Sequence, residues 1–141
     1  MVTKTRMPEA IRVVVVDDHL IVRQGLKQYL AEFEDITWVG EAADGVAALA
    51  LIASTRVDVV LLDFAMPGKS GLEVLPELRA RYPATHVVVV TGYPESHYGE
   101  EAKRLGAFAY LHKECEPLEI IAAIRAAGRN SPGAANEPTF A

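Results

Sequence analysis

Short, nearly unbroken apolar runs alternate along this chain with longer segments whose apolar residues recur every three or four positions. The first kind reads as strands buried on both faces, the second as helices that bury one face. The runs are Ile11–Val16 (IRVVVV), residues 57–62 (VDVVLL), residues 87–90 (VVVV) and residues 107–111 (AFAYL). Residues 36–39 (ITWV) alternate instead, as an edge strand does, and the side taken by Trp38 depends on where Ile36 points. Between the runs, Val22, Leu26, Tyr29, Leu30 and Phe33 share one helical face. Val46, Leu49, Ile52 and Ala53 are expected to point inward from a second helix, and Leu72, Leu75 and Leu78 from a third. Pro76 inside the third helix removes one backbone bond and predicts a bend. A fourth helix has only Tyr98, Ala102 and Leu105 as its stripe, is weakened by Gly99 and stops at Gly106. Pro117 opens the last helix and Gly128 closes it.

Five strands alternating with five helices predict an α/β domain with a parallel sheet covered on both faces. The preferred arrangement is doubly wound and flavodoxin-like, with strand order 2-1-3-4-5. Residues 1–10 form an N-terminal extension and residues 11–128 the folded domain. Residues 129–141 (RNSPGAANEPTFA) have no period and read as a flexible tail or the start of a linker.

With 141 residues, half of them hydrophobic, the chain is expected to be one domain with a sizeable core. A net charge of −5 argues against this segment gripping nucleic acid by itself, because phosphate contacts need clustered Lys and Arg. No apolar run approaches the roughly 20 residues a membrane span needs, and the N-terminus lacks a signal-peptide core. The single cysteine, Cys115, rules out an internal disulfide framework and suits a reducing compartment, so the expected location is cytoplasmic.

The candidate chemistry sits at the ends of the strands. The first run ends on Asp17-Asp18, the third on Asp63, the fourth on Thr91, and Lys113 follows the fifth by two residues. In the expected fold all of these lie on one sheet edge, and the three aspartates converge where the strand order reverses. Taken singly, Asp63 reads as a turn carboxylate, Thr91 as a cap and Lys113 as a solvated lysine. Together, three carboxylates in one crevice repel each other and call for a divalent cation, Mg²⁺ or Mn²⁺ rather than zinc. Beside such a cation Asp63 becomes usable as a nucleophile toward a phosphoryl group, with Lys113 and the Thr91 hydroxyl placed for phosphoryl oxygens. Ser70 and Glu73, after the Asp63 turn, have capping-box spacing. His19 reads as a helix-start residue, since no second His or Cys stands at ligand spacing, and His86, His97 and His112 form no such set either.

The segments VVVVDDH, LLDFAMPGKSGLEVL, VVVVTG and GAFAYLHK, in this order, resemble the receiver domain of bacterial two-component response regulators. DDHLIVRQGL and EAADGVAAL are similar to the NarL/FixJ (LuxR-type) subfamily. The resemblance covers about residues 11–128. It implies that Asp63 accepts a phosphoryl group from a phosphohistidine on a sensor histidine kinase. It also implies Mg²⁺ binding by Asp18, Asp63 and the Ala65 carbonyl, with Asp17 acting through a water. Thr91 and Tyr110 match the switch pair, Lys113 the phosphate-binding lysine, and Ala65 and Tyr93 the positions that overlook the approach of water. Such a protein is a phosphorylation-dependent switch rather than a conventional enzyme, with slow self-dephosphorylation. On this reading it controls transcription through an output domain outside this chain, or else acts alone by protein–protein contact. It is compatible with homodimerisation on phosphorylation, and the sequence does not choose the interface. Many receivers carry a proline after the phosphate-binding lysine; here Glu114 stands there, so no cis peptide is expected.

Two rival classes share the fold. A Mg-dependent phosphatase with Asp63 as nucleophile normally wants a second acid two residues on, where this chain has Ala65. A flavin or nucleotide module needs a Gly/Ser/Thr-rich loop after the first strand, where this chain has Asp17-Asp18.

Overall fold

The valine-rich runs pack as the central sheet of a computed structural model that describes residues 10–66, 68–129 and 139–140. In chain order the elements are β1 (Ile11–Val16), α1 (Leu20–Leu30), β2 (Ile36–Ala42), α2 (Gly45–Ser54), β3 (Val59–Leu62) and α3 (Gly71–Arg81). They continue as β4 (His86–Thr91), α4 (Glu95–Arg104), β5 (Ala109–His112), α5 (Pro117–Gly128) and β6 (Thr139–Phe140). The strands are parallel in the order β2-β1-β3-β4-β5-β6, so the expected 2-1-3-4-5 order is the observed one. The two-residue β6 pairs alongside β5 and is a strand the sequence does not predict. The expected tail or linker falls mainly on residues 130–138 and 141, and most of the N-terminal extension on residues 1–9; both stretches lie outside the described residues.

Side chains alternate across the strands, and each face builds its own core. Val14, Val16, Val60, Leu62, Val87 and Val89 pack against α2, α3 and α4. Val13, Val15, Val59, Leu61, Val88 and Val90 pack against α1 and α5. Both faces of the inner strands are therefore buried, which is why their sequences are continuous apolar runs rather than alternating ones.

Four local expectations are refined. β2 runs three residues further than residues 36–39, because Gly40 and Glu41 carry no apolar signal yet still pair with Val14 and Val15. Ile36 is buried, so Trp38 turns inward with it and packs half-buried toward α1, with the Lys27 ammonium over its ring. Val46 points outward, 67% exposed, although it is predicted inward, and Ala53 is exposed as well. α2 (GVAALALIAS) is apolar almost all round, so periodicity cannot choose its face. Packing chooses it instead: a Cβ on Gly45 would run into the Val74 side chain, so this side lies closest to α3, with Ala48 and Ile52 buried below. α3 remains a single helix through the exposed Pro76.

Candidate functional site

β1 and β3 lie side by side, and both aspartate-bearing ends extend the hydrogen-bond ladder by one step. The Asp63 amide donates to the Val16 carbonyl at 2.9 Å, and the Asp17 amide to the Ala42 carbonyl at 3.0 Å. The backbone of each carboxylate is thus fixed by the sheet rather than by a loose turn. The start of α3 closes against the same point. A Cβ on Gly71 would overlap the Asp63 carbonyl oxygen and Phe64, so only glycine lets the helix come this close. The Ser70 amide donates to the Glu73 carboxylate at 2.8 Å, the helix-start bond that the capping-box spacing predicts.

Asp63 and Asp17 are almost completely buried, and Asp18 lies at the rim. Lys113 reaches in from the end of β5, where its own amide donates to the Thr91 carbonyl at 2.9 Å. Its ammonium lies 2.9 Å from Asp17 Oδ2 and 3.1 Å from Asp63 Oδ2. Burial on its own pulls the Lys113 ammonium down, but hydrogen bonding to Asp17 and the charge of Asp63 outweigh it and hold the group above the ordinary lysine value. The second Asp63 oxygen, Oδ1, accepts from the Ala65 amide at 3.2 Å.

His19 belongs to this cluster, which the sequence reading missed. It does start α1, as expected, but its ring turns back onto the acids. Nδ1 lies 2.8 Å from Asp17 Oδ1, 3.2 Å from Asp18 Oδ1 and 3.3 Å from the Lys113 ammonium. Ligand atoms of Asp17, Asp18, His19 and Asp63 all fall within 4.8 Å of one another. The only sequence signal was three successive polar side chains at a strand end.

Thr91 and Tyr110 meet through the backbone of one residue, Tyr93. The buried Thr91 hydroxyl oxygen accepts from the Tyr93 amide at 3.4 Å, and the Tyr110 hydroxyl donates to the Tyr93 carbonyl at 2.8 Å. Tyr110 is fully buried, edge-on to Phe64, while Tyr98 packs edge-on to both Phe64 and the half-exposed Tyr93. The Tyr110 ring fills the space under the β4–α4 loop. Lys113–Glu114 is trans, in keeping with the missing proline.

The donor set fits a divalent cation. Three carboxylates face one ammonium, and unopposed negative charge in a buried pocket is costly. The Ala65 amide and the end of β3 hold Asp63 with an oxygen directed to the same place as those of Asp17 and Asp18. Among the described residues no helix is long and apolar enough to cross a membrane.

Comparison with known proteins agrees with this geometry. Residues 13–125 match the family model described as the response regulator receiver domain. The chain is 40% identical over 121 residues to the uncharacterized transcriptional regulatory protein YxjL of Bacillus subtilis, covering 86% of this chain and 56% of that protein. It is 38% identical over 117 residues to the probable transcriptional regulatory protein NarL of Mycobacterium tuberculosis, covering 83% and 54%. It thus spans about half the length of the curated relatives it matches. The solved receiver domain of the Mycobacterium tuberculosis NarL superposes with a TM-score of 0.81 at 37% identity, over 86% of this chain and 98% of that one. With its aspartates, threonine and lysine gathered at one sheet edge, the chain belongs to the response regulator receiver domain family, in its NarL/LuxR-type branch.

Proposed function

We propose that Asp63 is the phosphoacceptor of this receiver, taking its phosphoryl group from a phosphohistidine of a sensor histidine kinase. One observation carries the reading: the buried Asp63 carboxylate ends a central strand 3.1 Å from the Lys113 ammonium and within the reach of Asp17 and Asp18. An Asp63 oxygen forms the new P–O bond as the P–N bond of the donor breaks and the imidazole leaves. Lys113 takes up charge on one phosphoryl oxygen. The Thr91 hydroxyl donates to another, at the cost of its contact with the Tyr93 amide. Asp17, Asp18, Asp63 and the Ala65 carbonyl would hold Mg²⁺ or Mn²⁺, which supplies the positive charge that lets an anionic nucleophile approach an anionic phosphoryl group.

The output is a change at the β4–α4 loop and along α4, because both switch residues hold Tyr93. The protein as a whole controls transcription through an output domain outside this chain, as the names of its relatives indicate for them, and acts in the cytoplasm. The acceptor assignment is tested by intact mass after incubation with a small phosphodonor and Mg²⁺. One phosphoryl increment is expected on the parent and none on Asp63→Asn; a full increment on that variant refutes the assignment.

A further inference from the structure

We propose that the His19 imidazole is a further donor to the cation held by the acidic pocket, and that it shifts the pocket's preference from Mg²⁺ toward Mn²⁺. The inference rests on the receiver reading above and concerns the choice of ion within it.

The first support is distance. Ligand atoms on adjacent corners of a six-coordinate site with bonds of about 2.1 Å stand about 3 Å apart. His19 Nδ1 stands 3.2 Å from Oδ1 of Asp18, the spacing of two ligands on one ion, while its 2.8 Å approach to Asp17 Oδ1 is a hydrogen-bond contact that keeps the ring turned onto the pocket. The second support is a cation already present. The Lys113 ammonium lies 2.9 Å from Asp17 Oδ2, 3.1 Å from Asp63 Oδ2 and 3.3 Å from His19 Nδ1, so a positive group is drawn to the point where these three donors meet.

The plainer role for His19 is to start α1, and the helix makes little demand on its ring. The side chain makes no capping hydrogen bond; only the backbone carbonyl is used, accepting from the Arg23 amide at 3.1 Å. The ring is also 58% exposed, so it contributes little to the core. A second plain role is a hydrogen bond from Nδ1 to Asp17. That role would alter the pocket equally for any divalent ion, because it touches only the carboxylate.

Direct donation predicts unequal effects. Mg²⁺ is hard and keeps oxygen ligands, whereas imidazole nitrogen suits transition metals. The pocket should therefore hold Mn²⁺ more tightly, relative to Mg²⁺, than the same pocket with oxygen donors alone.

The test is pulsed electron paramagnetic resonance on the Mn²⁺-loaded protein, beside calorimetric titration with Mn²⁺ and with Mg²⁺. The parent, His19→Ala and His19→Asn are compared. A directly bonded nitrogen should give a hyperfine coupling in the parent that changes on ¹⁵N-histidine labelling and vanishes in both variants. The ratio of Mn²⁺ to Mg²⁺ affinity should fall by about tenfold in each. Mn²⁺ bound without nitrogen coupling, or affinities for the two ions falling by the same factor, overturns the role of His19 while leaving the pocket intact. If the parent binds neither ion and Asp63 takes no phosphoryl group, the receiver reading fails and this inference falls with it. The variants' far-ultraviolet spectra and melting temperatures should match the parent's, since the ring supports neither helix nor core.

Discussion

The Tyr110 hydroxyl is fastened to the Tyr93 carbonyl at 2.8 Å, with the Pro94 carbonyl at 3.3 Å as a second acceptor. A side chain on β5 thereby holds the loop that leads from β4 into α4. Tyr110→Phe keeps the ring, its burial and its edge contact with Phe64, and removes only this tie. The expected cost is about 1 kcal/mol of stability, the usual net value of one hydrogen bond. Backbone amides of residues 93–99 should exchange faster while those of β1 and β3 do not. Uniform exchange across the protein would deny the hydroxyl its special hold on this loop.

The same phenol gives the fold an alkaline limit. Burial raises Tyr110 to about 12, helped by the charges of Glu95 and Asp63 and by Tyr98. In the unfolded chain it ionises near 10. As pH rises the unfolded state releases this proton first, so the contribution to stability is complete below about pH 10 and is lost progressively up to about 12. Urea unfolding at pH 9 and at pH 11 should show a steeper decline for the parent than for Tyr110→Phe. Parallel declines would mean that the phenol titrates normally.

Asp17 and Asp18 are neighbours in sequence but not in their attachments. Asp17 is buried and accepts from the His19 amide at 2.8 Å besides pairing with Lys113, whereas Asp18 is at the rim, 3.2 Å from the His19 ring. Asp17→Ala should therefore cost about 1–3 kcal/mol of stability, because Lys113 keeps only Asp63 of its two carboxylate partners and the His19 amide loses its acceptor. Asp18→Ala should stay within about 0.5 kcal/mol of the parent and yet abolish Mg²⁺ binding, while Asp17→Asn only weakens it. Calorimetric titration is the suitable readout, because Trp38 packs toward α1 and would sense the pocket only indirectly. Equal metal affinity in Asp18→Ala and Asp17→Asn would refute the ranking.

Glycine substitutions separate a glycine the site requires from one it does not. Gly71→Ala places a methyl group against the Asp63 carbonyl, the Phe64 backbone and the buried Phe64 ring, and the two backbone contacts cannot yield cheaply. The expected loss is about 1–3 kcal/mol, the range for an overpacked position, together with slower phosphorylation because Asp63 is displaced. Gly25 lies exposed inside α1 with nothing near the added methyl. Gly25→Ala should stabilise by about 0.5–1 kcal/mol through helix propensity and leave phosphorylation unchanged. Thermal or urea unfolding of the two variants gives the comparison directly.

What the sequence made legible followed from which forces act locally. Asp63, Asp17 and Thr91 were found because each interrupts a buried apolar run, and a polar residue at that boundary is conspicuous in one dimension. Lys113 was found because it follows such a run closely. From sequence His19 reads only as a helix start, because its partners outside the Asp-Asp pair, Lys113 above all, come from the far end of the chain and no local pattern joins them. Val46 was assigned to the wrong side because α2 has no polar face to oppose, so only contact with α3 settles its rotation. The buried position of Tyr110 was equally hidden, since it depends on carbonyls 16 and 17 residues away accepting from its hydroxyl.

The lifetime of a phosphorylated Asp63 depends on how well the site aligns water. Hydrolysis of an acyl phosphate needs a water held in line with the phosphorus, and positioned side chains provide that alignment. Ala65 stands beside the acceptor, its amide donating to Asp63 Oδ1 at 3.2 Å, and its methyl group offers nothing to orient a water. Tyr93 stands at the second position that the receiver match assigns to the approach of water. Its backbone is held by Thr91 and Tyr110 at once, and its ring rests edge-on to Tyr98 with centroids 5.0 Å apart. A phenol ring at this position supplies no carboxylate or amide to hold a water. The small size of Ala65 argues the other way, since it leaves room for water to enter. Room without alignment gains little, because the entropy of fixing the water is then still to be overcome. Self-dephosphorylation should therefore be slow, and the combined Ala65→Asn and Tyr93→Glu substitutions should quicken it by roughly tenfold or more. The decay of the phosphoryl mass increment after removal of the donor measures both rates. A parent that loses its phosphoryl group as fast as the double variant would show that orientation at these two positions does not control the lifetime.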